Sequence, residues 1–272
     1  MPFGVEFLVG DTARGPSMSI WGDLNINDVL DDPSRGCYYF EDFMSFPKTL
    51  PTTEGNWGDL TAFSSASATV VDGGTLGGAA TFAGVGDNEG VSFRSLAAPF
   101  RIGRGQKTFA WEIRLKLSTI ADTKNGLFVG LRENAALTAI DPITALGVLA
   151  DRNVVGFHRP EGDGDGIDTV YKADGVTAVV VGADAVVPVA DTFVKLGMRY
   201  YPSKHKSGDN YTLAFFKDGV ELAGKKQLPA AAGTDFPNDV NMGIVVAALN
   251  ATGTAPGSFT VDWIRAFQAF EQ

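Results

Sequence analysis

The sequence predicts an all-β chain folded as an antiparallel double-sheet sandwich, and three observations support this prediction. The 33 glycines, 13 prolines and 19 phenylalanines among 272 residues favour short strands joined by tight turns. Residues 109–117 alternate apolar and polar side chains, and residues 258–270 do so as well. A chain of this length can bury the core of one large sandwich domain, with little helix.

The strand predicted at residues 109–117 has the clearest single apolar face. Every second residue is large and apolar, so this face is expected to lie in the core, with Trp111 packed inside. The apolar positions are Phe109, Trp111, Ile113, Leu115 and Leu117, and the positions between them are Ala110, Glu112, Arg114 and Lys116.

The closing strand, residues 258–270, alternates in the same way and ends the sequence. We expect Trp263 and Phe267 to be core residues, and Asp262 and Arg265 to lie at the strand surface or in a local ion pair. Simple alternation places Phe259, Val261, Trp263 and Phe267 on one face, and Thr260, Asp262, Ile264 and Gln268 on the other.

The remaining strands are predicted from runs of β-forming residues bounded by turn residues. The dipeptide Asp218-Gly219 between two such runs predicts a type I′ hairpin. The other predicted strands cover residues 37–43, 74–82, 90–96, 126–132, 148–158, 168–172, 176–181, 193–201, 211–222 and 242–249.

Several of these segments occur in a familiar order. The series F-A-W-E-I-R-L-K-L, G-L-F-V-G-L-R, F-V-K-L-G-M-R-Y, F-F-K-D-G-V and V-D-W-I-R-A-F-Q resembles the concanavalin A-like lectin/glucanase (laminin G-like) jelly rolls. Relatives of this kind are found among tailed-phage virion decoration proteins. The resemblance implies a jelly-roll sandwich over residues 37–272.

Residues 1–36 differ from the rest and are predicted to form an extended N-terminal arm. The segment is too short for its own core and too apolar for a free tail, so it is expected to lie against its own domain, a neighbouring copy or another protein. One alternative is that it adds a strand or two to the same sandwich. Candidate partner contacts are Phe3, Phe7 and Trp21 in the arm, and Trp57 in a turn-like setting.

A glucanase of the jelly-roll type would present E-x-D-x-x-E or E-x-D-x-E on one strand, as its paired catalytic carboxylates. Only Glu161-Gly-Asp163 matches the first half, and a second glutamate does not follow. The sequence therefore predicts a protein that is not an enzyme. If it were a polysaccharide-cleaving enzyme after all, Glu112 and Glu133 would be the first residues to mutate.

The acidic loop around residues 161–168 is the candidate metal site. Carboxylates of Asp163, Asp165 and Asp168 could hold calcium, although the loop lacks the EF-hand pattern. The alternative is a solvated hairpin tip without metal, and no cofactor is otherwise expected. Cys37, the single cysteine, is predicted to be a small buried residue at a strand start.

The net charge bears on possible partners, and the targeting signals bear on where the protein is made. A formal charge of -10 and an isoelectric point near 4.7 disfavour nucleic acid. The sequence contains neither a secretory signal nor an apolar run long enough to span a membrane, so synthesis in a host cytoplasm is expected.

Three functional hypotheses follow. The first is a structural virion protein: a capsid decoration or cement protein of a tailed phage, located on the capsid surface, binding the major capsid protein and copies of itself as a homotrimer. The second is a glycan-binding module of a tail fibre or spike. The third is the polysaccharide-cleaving enzyme.

Overall fold

The protein is a sandwich of two antiparallel β-sheets, so the predicted all-β, double-sheet fold class is confirmed. The computed structural model describes residues 14–44, 55–57, 60–64, 69–72, 78–83, 90–95, 97–103, 106–121, 125–134, 141–144, 148–162, 164, 166–201, 211–224, 226–228, 235–250 and 257–270.

Three short helical turns precede the first strand and were not predicted. They are α1 (Met18–Trp21), α2 (Ile26–Asp31) and a 3₁₀ turn at Pro33–Arg35. Helix α2 ends before Pro33, because a residue that precedes proline is disfavoured in the helical conformation. In the described ranges, no helix is long and apolar enough to cross a membrane.

The strands follow in an almost continuous series. They are β1 (Gly36–Glu41), β2 (Gly55–Trp57), β3 (Leu60–Ser64), β4 (Thr69–Asp72), β5 (Ala80–Ala83), β6 (Gly90–Ser95), β7 (Phe109–Leu117), β8 (Asn125–Glu133), β9 (Val154–Arg159), β10 (Ile167–Lys172), β11 (Val179–Val186), β12 (Val194–Tyr201), β13 (Tyr211–Lys217), β14 (Val220–Glu221), β15 (Lys226–Leu228), β16 (Met242–Asn250) and β17 (Ser258–Ala269).

Each sheet combines strands that are distant in sequence. The first sheet has the order β14-β13-β12-β7-β17-β5-β4, with β1 also paired to β17 and β15 to β13. The second sheet has the order β11-β10-β9-β8-β16-β6-β3-β2. Sequential hairpins build parts of both sheets, but β17 reaches its place between β7 and β5 from the far end of the sequence.

Most predicted strands are present. The hairpin at Asp218-Gly219 is confirmed, with φ angles of 50° and 78° and a direct pair between Lys217 and Val220. Strands β2, β3, β4 and β15 were not predicted, because they are too short to show an alternating pattern.

The main core lies between the two sheets. The predicted inner face of β7 is confirmed, since all five of its apolar residues lie in this core and Trp111 is fully buried. Its ring stacks against Phe157 of the opposite sheet, with ring centroids 6.3 Å apart.

The predicted faces of β17 are wrong beyond Val261, because the strand contains a β-bulge. Val261 pairs with Leu115 and Trp263 with Arg114, so Asp262 is an extra residue in the ladder. Phe259 and Val261 point into the core as predicted, but Ile264 and Ala266 replace Trp263 and Phe267 there. Trp263 and Phe267 are buried on the opposite, outer face of the first sheet.

The outer face of the second sheet is also covered. Ile143 and Leu149 of the segment after β8 form a bridge to each other and pack over Phe128, Val154 and Val245 of the sheet. Beside this apolar contact, Arg132 Nη2 and Asp141 Oδ2 form an ion pair at 2.5 Å, with side chains 1% and 2% exposed. This pair fastens the covering segment to the sheet.

Cys37 lies near the start of β1, packed against the main core and only partly accessible. Its predicted position at a strand start is confirmed. Burial raises the pKa of the Cys37 thiol to about 12, despite an opposing hydrogen bond with the backbone of Gln268.

Alkylation of Cys37 is therefore expected to be slow in the native protein. At pH 8 only about one thiol in 10⁴ is ionised when the pKa is near 12, and the thiolate is the nucleophile. Mass spectrometry after iodoacetamide treatment should show that Cys37 is alkylated roughly tenfold more slowly, or slower still, in the native protein than in urea-unfolded protein. Equal alkylation rates in the two states would contradict the burial of the Cys37 thiol.

Candidate functional site

The outer face of the first sheet carries a second apolar cluster made with the N-terminal segment. Ile20, Trp21 and Val29 of this segment pack on Ala110, Ala214, Phe216 and Phe267. The predicted arm was expected to lie against its own domain, a neighbouring copy or another protein. Residues 14–35 lie against the protein's own sandwich. The contact is made with short helices instead of added strands.

Glu112 of β7 anchors this segment from below. Its side chain is fully buried, and Oε2 accepts hydrogen bonds from the Ser17 backbone N–H at 3.0 Å and from Trp21 Nε1 at 2.7 Å. Burial raises the pKa of the Glu112 carboxyl, while the hydrogen bonds to Ser17 and Trp21 and the charge of Lys195 act in the opposite direction. Its role in this structure is to hold the segment.

Two cations of β12 hold the same segment through its carbonyl groups. Lys195 Nζ donates to Gly15 O at 3.0 Å, and Arg199 Nη1 donates to Ile20 O at 2.9 Å. Arg199 Nη2 also donates to Asp23 Oδ2 at 2.7 Å. Both side chains are less than a tenth exposed, and the segment supplies hydrogen-bond partners to both of them.

The bulge in β17 supplies the third anchor. Arg14 Nη2 contacts Asp262 Oδ1 at 2.6 Å, and Asp262 also pairs with Arg114. Trp263 Nε1 donates to Arg14 O at 2.8 Å. Because the extra residue turns both Asp262 and Trp263 outward, the bulge creates this docking point.

Glu112, Lys195, Arg199 and Asp262 together are here called the clamp. Sequence reasoning identified none of them as segment contacts. One signal was available for the bulge: the inner residues Val261 and Ile264 are three positions apart, which breaks the period of two.

The clamped segment and the strand that follows it display large apolar side chains to solvent. Phe40 of β1 lies on this outer face, where the Arg265 guanidinium lies 5.3 Å from its ring and 5.3 Å from that of Trp21. We call the exposed set the 18–44 patch. It comprises Met18 (61% exposed), Leu30 (60%), Phe40 (48%) and Met44 (73%).

The predicted partner contacts fall in different places. Trp21 is 2% exposed and contacts the protein's own sheet, so its ring is not displayed for a partner. Trp57 ends β2, at the edge of the second sheet, and its side chain lies outside the described residues. Phe3 and Phe7 also lie outside them.

The predicted calcium site is described only in part. Asp168 Oδ1 accepts a hydrogen bond from the Asp184 backbone N–H at 2.8 Å, and Asp168 pairs with His158 across the strands. Asp163 and Asp165 lie outside the described residues. Within the described part of the chain, no group of three His, Cys, Asp or Glu residues could hold a metal. Calcium binding stays a prediction.

The two glutamates considered for catalysis do not form a pair. Glu112 is in the first sheet and Glu133 is at the end of β8 in the second, where Oε2 accepts from Asn153 Nδ2 at 2.6 Å. Two carboxylates that act on one glycosidic bond must flank it at a distance of several ångströms. The sandwich places these two in different sheets.

The whole structure is similar to solved carbohydrate recognition domains and lectins. No family model and no curated protein matches the sequence. Similar structures are the Emp46p carbohydrate recognition domain (14% identity, 84% of this chain, 97% of that chain, TM-score 0.51), the Emp47p carbohydrate recognition domain (12%, 88%, 99%, 0.51) and peanut lectin with a nine-residue peptide (12%, 87%, 99%, 0.50). This likeness shows the fold alone: a legume-lectin-like, concanavalin A-like sandwich, as predicted.

Proposed function

We propose that this chain is a non-enzymatic structural protein that binds a protein partner through the 18–44 patch. The observation that supports the proposal is the combination of a firmly clamped segment with exposed methionine, leucine and phenylalanine side chains. Exposed groups of large apolar residues are typical of protein–protein contacts, in which methionine and phenylalanine are enriched.

We further propose that the partner is the major capsid protein of a tailed phage, on whose outer surface this chain is a decoration protein and forms homotrimers. The sequence resemblance to jelly rolls of such virions supports this identification, together with the acidic composition. The rigid sandwich would then add buried interface area across capsomer joints and so resist internal pressure.

The clamp determines which experiment is informative. Deleting residues 1–36 would remove hydrogen-bond partners of Glu112, Lys195 and Arg199 and uncover these buried side chains, so the sandwich itself would be destabilised. Point substitutions in the 18–44 patch avoid this problem, because Leu30 and Phe40 are exposed and belong to no clamp contact.

Leu30→Asp and Phe40→Asp are each expected to weaken binding to capsids at least about tenfold, since a charge at the centre of an apolar contact costs more than 1.4 kcal/mol. Binding is measured by co-sedimentation of each full-length variant with empty tailed-phage capsids that lack this protein. Val180→Asp is the matched control, because Val180 is 49% exposed in β11, the edge strand of the second sheet.

The proposal would be overturned by wild-type protein that fails to bind capsids, or by patch variants that bind like the wild type. An equal loss of binding in Val180→Asp would mean that the contact does not lie at the 18–44 patch. The mass of the free protein, measured by light scattering, tests the homotrimer separately.

A further inference from the structure

Arg265 of β17 lies beside the 18–44 patch, on the outer face of the first sheet, with three aromatic rings around its side chain. The guanidinium carbon lies 5.3 Å from the ring centroid of Phe40, 5.3 Å from that of Trp21 and 5.7 Å from that of Tyr38. Rings at these distances attract the cation and hold it in place. Because Phe40 belongs to the patch, a partner that covers the patch also covers Arg265.

The hydroxyl group of Tyr38 fixes the orientation of this guanidinium. Arg265 Nε and Nη2 donate to the Tyr38 hydroxyl oxygen at 3.0 Å and 2.8 Å. Since a guanidinium is planar, these two bonds turn the edge formed by Nη1 and the second N–H of Nη2 away from Tyr38. Among the described residues Nη1 has no hydrogen-bond partner, and it is not one of the buried atoms that lack a partner, so it is accessible to solvent.

The carboxylate directly across the ladder from Arg265 is Glu112, but the two do not pair. Glu112 Oε2 accepts from the Ser17 N–H and the Trp21 indole N–H, and Oε1 is buried without a hydrogen-bond partner. Trp21 therefore uses its N–H for Glu112 and its ring for Arg265. In the part of the chain that the structure describes, no carboxylate forms an ion pair with Arg265, although the net charge of the chain is -10.

This arrangement sets a requirement for whatever covers the patch. A partner that displaces water from Arg265 Nη1 leaves a desolvated charge, which costs free energy unless the partner supplies an anionic acceptor. The free edge of the guanidinium offers two parallel N–H groups, the geometry that a carboxylate accepts. Arginine, tryptophan and tyrosine are also the residue types that dominate binding energy in protein interfaces.

We infer that the protein partner of the 18–44 patch presents an aspartate or glutamate carboxylate, surrounded by apolar side chains, to the free edge of Arg265. This inference rests on the proposed function, since it concerns the same surface, and it adds the chemical group that the partner must carry. The exposed Leu30 and Phe40 side chains supply apolar contact area, and the ion pair fixes the orientation of the partner.

The first test is Arg265→Met, which removes the charge and keeps an unbranched apolar side chain. Co-sedimentation of the full-length variant with empty tailed-phage capsids that lack this protein is expected to show binding weakened about tenfold or more, because the partner's carboxylate is then covered without a cation. Arg265→Lys keeps the charge without the planar pair of donors, so its binding should lie between those of Arg265→Met and the wild type.

The second test changes the partner instead. Capsid carboxylates are converted to neutral amides with a carbodiimide and ethanolamine, and electron microscopy checks that the capsids stay intact. The wild type is expected to bind the amidated capsids about tenfold more weakly, whereas Arg265→Met should bind treated and untreated capsids alike. General electrostatics predicts the opposite for the wild type, because a chain of net charge -10 is attracted more strongly to capsids that have lost negative charge.

Lys116→Met is the matched control for the loss of a cation. Lys116 Nζ lies 5.3 Å from the centroid of the Phe193 ring, on the same outer face but at the other end of β7, outside the patch. Its binding to capsids should equal that of the wild type. Thermal unfolding checks that all variants are folded; should Arg265→Met unfold, the wild type on amidated capsids decides.

Failure of this inference and failure of the proposed function give different results. If Leu30→Asp weakens binding but Arg265→Met binds like the wild type, the partner has no carboxylate at this place, and only the inference is wrong. If the wild type does not bind capsids, or Leu30→Asp binds like the wild type, the proposed function is wrong and the inference with it. Wild-type binding that amidation leaves unchanged, or equal weakening by Lys116→Met, would also overturn the inference.

Discussion

Replacing Asp141 by alanine is expected to lower the free energy of unfolding by about 3–5 kcal/mol. Asp141 and Arg132 have side chains 2% and 1% exposed, and their atoms meet at 2.5 Å. Removing the carboxylate leaves the Arg132 guanidinium buried without its charge partner, and arginine does not deprotonate readily in proteins. Urea unfolding followed by tryptophan fluorescence measures the loss.

Two further variants separate the effect of charge burial from that of losing any ion pair. Asp28→Ala removes a carboxylate that is 49% exposed and pairs with Arg35, which is 46% exposed, so its effect should be hard to distinguish from zero. The double variant Arg132→Met with Asp141→Leu should recover most of the stability, because no charge stays buried. An Asp141→Ala protein as stable as the wild type would contradict this account.

Replacing Glu112 by alanine is expected to cost about 2–5 kcal/mol and to release the N-terminal segment. The Ser17 N–H and the Trp21 indole N–H would both lose their acceptor in a buried place, and a cavity would remain. Hydrogen exchange measured by mass spectrometry should show lost protection at residues 14–35, while β7 and β17 stay protected. Uniform loss of protection would mean that the clamp is not a local anchor.

Glu112→Gln provides the matched control, because its amide oxygen can accept the same two hydrogen bonds. The pKa of Glu112 is raised by burial, so the native protein binds this proton more tightly than the unfolded chain does. The wild type therefore loses stability as the pH rises from about 4.3 upward through the raised pKa. The glutamine variant does not titrate there, so its stability relative to the wild type should improve between pH 4.5 and pH 8. A difference independent of pH would show that Glu112 has the same pKa in both states.

Strands in which apolar and polar residues alternate over many positions could be predicted from the sequence. In β7, five alternating apolar residues specified both the strand and its inner face, and the Asp218-Gly219 pair specified a hairpin. The same reasoning was wrong for the second half of β17, because one extra residue at Asp262 reverses the faces beyond it. Helices α1 and α2 were missed because four to six residues do not show a helical period.

The candidate site was less predictable because its contacts join residues far apart in the sequence. Trp21 was predicted as a candidate partner contact, but its ring packs on the protein's own sheet, and its hydrogen-bond acceptor Glu112 is 91 positions away. Arg14 and Asp262 are separated by 248 positions. A sequence pattern specifies which side of a strand a residue occupies, but not which distant segment covers that side.

By itself, the sequence determined that this protein is a β-sandwich: alternation with a period of two requires sheets with a buried face, and the turn residues separate the strands. Only the tertiary structure decided what lies on the outer faces. Burial there depends on which segment returns to cover Glu112, Lys195, Arg199 and Asp262, and that choice is made by long-range packing and charge pairing.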